Sequence, residues 1–289
     1  MTLDGMTAIV TGAAAGLGRA EALALAAQGA TVVVNDITEA KDTVDEIEAA
    51  GGKAVAVAGD IGERATADVL VEAALGLGGL DIVVNNAGVL RDRMLFSMSD
   101  EDWDLVLKVH LRGHFLLSRN AAKYWRDKSK MDGKPVYGRL VNTASEAFLA
   151  GSPGQPNYAA AKAGIAALTV SAARGLHKYG VRANAICPRA RTAMTEGVFG
   201  APPSKLDTGG IDPLSVDHVA PFVAYLASPA AEAINGQVFV VHGGMVALIA
   251  PPRIEQRWSV DDLATGVTGY FAERDPGLMF AATEILGES

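Results

Sequence analysis

Short apolar, β-branched runs alternate along this chain with longer amphipathic stretches. MTAIVT (residues 6–11) is the first run and stops at Gly12. An Ala/Leu-rich helical segment follows from Gly18 to Gln28, with Gly29 as its C-cap. TVVVND, ending at Asp36, predicts a second buried strand, and residues 39–50 a charged helix. Residues 54–58 give a third strand, 64–75 a helix, and LDIVVNNAG a fourth strand. A helix around residues 100–128, the strand GRLVNTAS, a helix opened by Tyr158 and the strand VRANAICP continue the series. A helix near 216–227 and a last strand, QVFVVHGG, complete it. Buried strands alternating with helices imply right-handed βαβ crossovers. The pattern therefore predicts the α/β class: a single domain, a doubly wound parallel sheet of about seven strands with helices on both faces.

Two stretches break the rhythm. Residues 189–215 are rich in Gly, Pro and Thr, as a substrate loop or a plain surface loop would be. Beyond Gly244 there are 45 further residues, including WSVDDLATGVTGYFAER, a helix with Ser259 as N-cap and Asp261 and Asp262 in its first turn. The expected division is a main domain over 1–250 and a C-terminal extension over 251–289, its one helix packed on the body or on a neighbouring subunit.

Composition narrows the class. The chain has 289 residues, 49% hydrophobic and 20% charged, enough for a substantial core. A net charge of -8 argues against nucleic acid or an anionic membrane as partner. No apolar run approaches eighteen residues, and the start MTLDGMTAIVTG has no basic region of the signal-peptide type. The lone Cys187 cannot form an intrachain disulfide or a cysteine-based metal site, so no metal is expected. These features predict a cytoplasmic protein acting on a small molecule.

The candidate chemistry is concentrated in VNTASEAFLAGSPGQPNYAAAKAG, residues 141–164. Tyr158 and Lys162 stand four apart at a helix start, on one face. A phenol beside an ammonium can serve as an acid/base, because a positive charge favours phenolate. Ser145 lies thirteen residues earlier, across a Gly/Pro-rich loop, where its hydroxyl could hold a substrate oxygen against the phenol. A helix with an ordinary exposed tyrosine and lysine is the alternative. At the other end of the sequence, Thr11-Gly12-Ala-Ala-Ala15-Gly16-Leu17-Gly18 sits between the first strand and first helix. Glycines there allow a tight turn that approaches a pyrophosphate at the helix N-terminus. Asp36 can accept hydrogen bonds from a ribose and would repel a 2′-phosphate, favouring NAD over NADP; a turn or cap residue is the other reading. Asp60, followed by Ile61, either serves the adenine or is a solvated strand-end acid. Asn85-Asn86-Ala87-Gly88 brings small residues to the carboxyl end of the fourth strand, where open parallel sheets bind ligands.

TGAAAGLG, NNAG, Ser145 and Y-A-A-A-K, in this order and spacing, resemble the short-chain dehydrogenase/reductases over residues 3–246. The resemblance implies a single Rossmann-type domain, dinucleotide-binding and catalytic over 1–250. It also implies that Tyr158 is the general acid/base, that Ser145 positions the substrate oxygen, and that Lys162 binds the nicotinamide ribose and lowers the Tyr158 pKa. It places Ile186 against the carboxamide, Pro188 beside the nicotinamide and Thr192 at the pyrophosphate. His110 stands where the family usually has a relay asparagine, and reads either as a relay group or as a packed core histidine. Arg189 replaces a usual glycine; it and Arg191 face either an anionic substrate or solvent. NNAGVLRDRMLFSMSDEDWDLVLKVHLRGHF further resembles the dehydrogenase domain of peroxisomal multifunctional enzyme type 2, with Arg91, Arg93 and Arg112 pairing either with the acids at 100–104 or with a neighbouring subunit. That resemblance implies oxidation of 3-hydroxyacyl-CoA thioesters or of steroid hydroxyls. The ending Gly-Glu-Ser is no peroxisomal tripeptide, and a stand-alone dehydrogenase is expected.

The expected function is NAD-dependent interconversion of a secondary alcohol and a ketone on a bulky apolar substrate. Apolar loop residues Met194, Val198 and Phe199 are candidates for contacting it. The rivals are a 3-oxoacyl carrier-protein reductase-like enzyme and a non-catalytic nucleotide-binding scaffold. A homodimer or homotetramer is expected through the helices around 100–128 and 157–178, whose alanines 159, 160, 163, 166 and 167 permit close approach or pack on their own sheet.

Overall fold

The computed structural model describes residues 2–192, 195, 212–277 and 279–280. The predicted alternation is realised in chain order as β1 (Thr7–Thr11), α1 (Gly16–Ala27), β2 (Thr31–Asp36), α2 (Lys41–Ala49), β3 (Lys53–Ala58), α3 (Arg64–Gly76) and β4 (Ile82–Asn85). Then come α4 (Asp100–Leu107), α5 (Gly113–Asp132), β5 (Gly138–Thr143), the short α6 (Ala147–Ala150), α7 (Pro156–Leu176) and β6 (Val181–Pro188). The helix Ala220–Ala227, β7 (Val238–His242) and β8 (Met245–Leu248) follow.

The strands form one sheet in the order β3-β2-β1-β4-β5-β6-β7-β8. Pairing is parallel from β3 to β7, whereas β8 runs antiparallel to β7 with Val241 opposite Val246. The sheet thus has eight strands rather than about seven. Gly243 and Gly244, both at positive φ (51° and 89°), make the two-residue hairpin that adds the last one. β1 and β5 are buried on both faces, as strands covered by helices on each side must be. One core layer joins Leu25 of α1, Ile47 of α2 and Val223 and Leu226 of the helix Ala220–Ala227 to Val10, Val84 and Val141. The opposite layer packs Leu70 of α3 and Leu116, Leu117 and Trp125 of α5 on Val33, Val83 and Leu140.

Chain order reverses between β2-β1 and β4, which opens a crevice at the carboxyl ends of β1 and β4. The predicted helix at 100–128 is not uniform: a π turn at Lys108–Arg112 separates α4 from α5 and carries His110. In the C-terminal segment, Ser259 caps a 3₁₀ turn (Val260–Asp262) by accepting from the Asp261 amide, followed by a π turn and the helix Thr268–Glu273. Tyr270 and Arg274 there both bind Glu255. Among the described residues no helix is long and apolar enough to cross a membrane, and no His/Cys/Asp/Glu cluster is arranged to hold a metal.

Candidate active site

The carboxyl end of the sheet holds a cleft of about 520 Å³. Its wall includes Gly12, Ala15, Gly16, Leu17, Asp36, Asp60, Ile61, Asn86, Ala87, Gly88, His110, Tyr158, Lys162, Pro188 and Thr192, each a predicted site residue. Val89, Arg91, Leu105, Val109, Thr143 and Thr195 also line it. Thr143 ends β5, Leu105 lies on α4 and Val109 in the turn after it, and Val89, Arg91 and Thr195 come from loops. Met194, Val198 and Phe199 lie outside the described residues.

The glycine turn is shaped for a nucleotide. Gly12 adopts φ +67°, and a Cβ there would fall 2.7 Å from the Ala87 Cα. At Gly18, a Cβ would fall 2.3 Å from the Gly12 carbonyl oxygen; this glycine serves packing and does not line the cleft. Ala15 at the N-cap offers no side-chain acceptor, and the first turn of α1 carries no acid. The first-turn amides are therefore left without a side-chain cap, which suits an anion such as a pyrophosphate. The Asp36 carboxylate is anchored by amides, Ala14 N–H to Oδ2 at 3.0 Å and Ile37 N–H to Oδ1 at 2.7 Å. Each carboxylate oxygen keeps a second lone pair for a ribose hydroxyl. Asn86 is fixed by Thr11, whose Oγ1 accepts its amide at 3.0 Å and whose carbonyl accepts its Nδ2 at 3.0 Å. Asp60 is engaged by Lys108 Nζ at 2.8 Å and by the Gly62 amide at 2.8 Å. Burial pushes its carboxyl up, but these two bonds outweigh it and hold it below the ordinary carboxylate range. These residues fit a dinucleotide.

At the other end of the cleft, α7 presents Tyr158 and Lys162 on one face, as their spacing requires. Pro156 occupies the first turn of α7, where its missing N–H costs nothing. The Tyr158 phenol stands beside Ser145, whose Oγ accepts the Ala147 amide at 3.2 Å. Ser145 reaches the cleft through that phenol rather than lining it. Lys162 is buried; its ammonium donates to the Thr143 carbonyl at 2.6 Å and stands 5.3 Å from the Tyr158 ring centroid. Burial drives the two groups in opposite senses, both towards neutrality. It pushes the phenol up to about 12, although the neighbouring Ser145 hydroxyl pulls it back. It pushes Lys162 down to about 7. With the chain's own groups, desolvation thus outweighs any lowering of the phenol by the lysine.

His110 is buried, and its Nε2 meets Val89, accepting from the amide at 3.0 Å or donating to the carbonyl at 2.9 Å according to tautomer. Its ring stands edge-on to Tyr158, centroids 5.1 Å apart. A Cβ at Gly88 would fall 2.4 Å from His110 Cε1, so that glycine makes room for the ring. Burial, with the Lys162 charge, holds the imidazole well below its usual pKa, and it stays neutral. His110 is therefore buried, with its ring edge against the Tyr158 ring.

Several residues sit differently from expectation. Arg189 is not turned to solvent: it pairs with Glu146, and Arg191 pairs with Asp212 at 3.3 Å. Ile186 is fully buried in the core, its carbonyl taken by the Ala144 amide, and does not line the cleft. Arg112 bonds the Gly62 carbonyl, while Arg91 stands 3.7 Å from Asp102, one of the acids at 100–104.

The family model described as enoyl-(acyl carrier protein) reductase matches residues 12–246. The chain is 63% identical to the hydroxyacyl-CoA dehydrogenase ChsB1 of Mycobacterium tuberculosis, covering 98% of this chain and 94% of that one. It is 40% identical to the peroxisomal multifunctional enzyme type 2 of Mus musculus over 85% of this chain, but spans only 33% of that longer protein. The crystal structure of a short chain dehydrogenase from Mycobacterium avium superposes with a TM-score of 0.82 at 44% identity, covering 96% of this chain and 98% of that one. The matched segment holds the glycine turn, the Ser145–Tyr158 contact and the buried Lys162 around one cleft, and the chain belongs to the short-chain dehydrogenase/reductase family, oxidoreductases that use a nicotinamide dinucleotide.

Proposed function

We propose that the protein is an NAD-dependent 3-hydroxyacyl-CoA dehydrogenase. The observation that carries the chemistry is the Ser145 hydroxyl beside the Tyr158 phenol, with the buried Lys162 near its ring, at one end of a cleft whose other end is the uncapped start of α1. The name of the relative at 63% identity supports the thioester substrate, and Asp36, anchored at the ribose position, supports NAD over NADP. Gly12, Gly16 and the α1 amides would hold the pyrophosphate, Asp36 the adenosine ribose and Lys162 the nicotinamide ribose. When bound, the dinucleotide supplies the hydride acceptor.

The chain's own residues handle the proton. Ser145 donates to the substrate oxygen and holds it beside Tyr158. The Tyr158 phenolate removes the hydroxyl proton as the carbinol carbon loses its hydride, which balances the oxidation of alcohol to ketone. A phenol at about 12 is a poor base at neutral pH, so a charged Lys162 has to offset the burial of the phenolate for turnover. His110, edge-on to the phenol, keeps the ring in place.

Exposed Ala160, Ala163 and Ala167 on α7 and exposed Phe115 on α5 support the reading of a homodimer or homotetramer. The functional test is NAD reduction by the purified protein on 3-hydroxyacyl-CoA thioesters of graded length, with hydroxysteroids and NADP in parallel. The proposal expects the highest kcat/KM with a thioester and NAD. A preference for free steroids, or for NADPH-driven reduction of 3-oxoacyl carrier protein, would overturn it.

A further inference from the structure

The ends of β5 and β6 are joined beyond their last paired residues by side chains. Thr143 pairs with Ile186 in the parallel register, and the Ala144 amide donates to the Ile186 carbonyl at 2.7 Å. After that the backbones part. Three residues further along each strand stand Glu146 and Arg189, and their side chains close the gap. Arg189 Nε donates to Glu146 Oε2 at 2.6 Å and Nη2 to Oε1 at 2.8 Å, a bidentate pair. Both side chains are nearly shielded from solvent, 12% and 10% exposed.

What the pair connects gives it meaning. Glu146 directly follows Ser145 and begins the one-turn helix α6; its carbonyl accepts the Leu149 and Ala150 amides. Arg189 directly follows Pro188, which lines the cleft, and the Arg189 amide is tied to the Val241 carbonyl of β7 at 3.0 Å. One end of the pair is thus fixed to the sheet, and the other to the turn that carries the Ser145 hydroxyl. The Ser145 Oγ accepts the Ala147 amide and stands beside the Tyr158 phenol, while its carbonyl accepts the Phe148 amide within the same turn.

We infer that the buried Glu146–Arg189 pair is a positioning device for the reaction, holding the Ser145 turn against the end of β6 so that the Ser145 hydroxyl stays on Tyr158. This rests on the proposed role of Ser145. An arginine in a place where glycine would leave the loop free is then explained by the glutamate 43 positions before it, at the same offset as the Thr143 and Ile186 pairing.

The test compares wild type, Glu146→Gln, Arg189→Met, the double variant Glu146→Met/Arg189→Met and Arg189→Lys. Thioester oxidation is measured per NADH-binding site, alongside the pH–rate profile and thermal unfolding. Each single variant is expected to lose about ten- to a hundred-fold in kcat, as a small misplacement of a reacting group does. NADH affinity is expected to stay within about two-fold, because the pair does not touch the nucleotide turn. The double variant should be no worse than the poorer single one, since both changes release the same turn. Arg189→Lys should recover part of the loss. Loosening Ser145 should also shift the low-pH limb of the oxidation profile to higher pH, because the phenolate is the base and the neighbouring serine hydroxyl pulls the phenol down.

A kcat per site at the wild-type level with only a lower Tm would make the pair purely structural and overturn the inference. So would losses that multiply in the double variant. Should the single variants fail to fold, the apolar double variant decides, because replacing both members of a buried pair is tolerated better than removing one. A reduced kcat in it supports the inference and a normal kcat sinks it. Wild type inert to every thioester would defeat the functional reading itself, a different outcome from active wild type with unaffected variants.

Discussion

Replacing Glu21 by glutamine should stabilise the protein at neutral and alkaline pH and do nothing in mild acid. Glu21 lies on the buried face of α1, fully covered, and neither carboxylate oxygen has a hydrogen-bond partner. Burial pushes its pKa from 4.5 up to about 8, with the Lys162 charge opposing. The native state therefore keeps a proton that the unfolded chain gives up above pH 4.5. Stability falls as pH rises through that window and levels off above the folded pKa. At 1.36 kcal/mol per pH unit, the cost is about 3 kcal/mol at pH 7 and about 5 kcal/mol above pH 8. Glutamine has the same shape and is also a buried polar group, so the comparison isolates ionisation. At about 2 °C per kcal/mol for a chain of this size, Tm should rise roughly 6 °C at pH 7. Thermal unfolding of both proteins from pH 4.5 to 9 measures it. A Tm difference that is constant with pH, or a variant less stable at pH 8, would refute the reasoning.

Two other substitutions test the nucleotide end. Gly12→Ala forces a Cβ to 2.7 Å from the Ala87 backbone at φ +67°. It should cost at least ~2 kcal/mol in stability from the left-handed backbone and the clash, and abolish measurable NADH binding by fluorescence titration; unaltered binding would contradict the geometry. Asp36→Asn removes a charge-assisted acceptor at the ribose and should raise the NAD Kd about ten-fold or more while narrowing the gap to NADP. Equal loss for both cofactors would count against the role given to Asp36.

Most of the fold is legible because burial on both faces of a parallel sheet forces strands to be short and apolar and their crossovers to be amphipathic. The eighth strand is the exception. VVHGGMVAL carries the two glycines of a tight hairpin, but they read equally as the end of a strand. The π turn at Lys108–Arg112 leaves no mark, since one widened turn changes no apolar spacing over so few residues. In the site, Tyr158 and Lys162 follow from helical periodicity and the glycine turn from backbone sterics. The partners of Arg189 and Arg191 do not, because each depends on a carboxylate brought close only by the sheet: Glu146 across β5–β6 and Asp212 from the far side of the 189–215 loop. Nor does sequence say which way burial pushes a titratable pair. Lys162 beside Tyr158 suggests a lowered phenol, whereas their shared burial raises the phenol and lowers the lysine.

Tyr158 as the acid/base of an NAD-dependent 3-hydroxyacyl-CoA dehydrogenase is tested by the turnover of Tyr158→Phe beside wild type, with NADH binding measured on both. Phenylalanine keeps the ring, its edge contact with His110 and its packing, and removes only the hydroxyl. The account predicts ready NAD reduction by wild type and a loss of at least about a hundred-fold in kcat for the variant, with NADH affinity nearly unchanged. A variant that oxidises the thioester at the wild-type rate would contradict it.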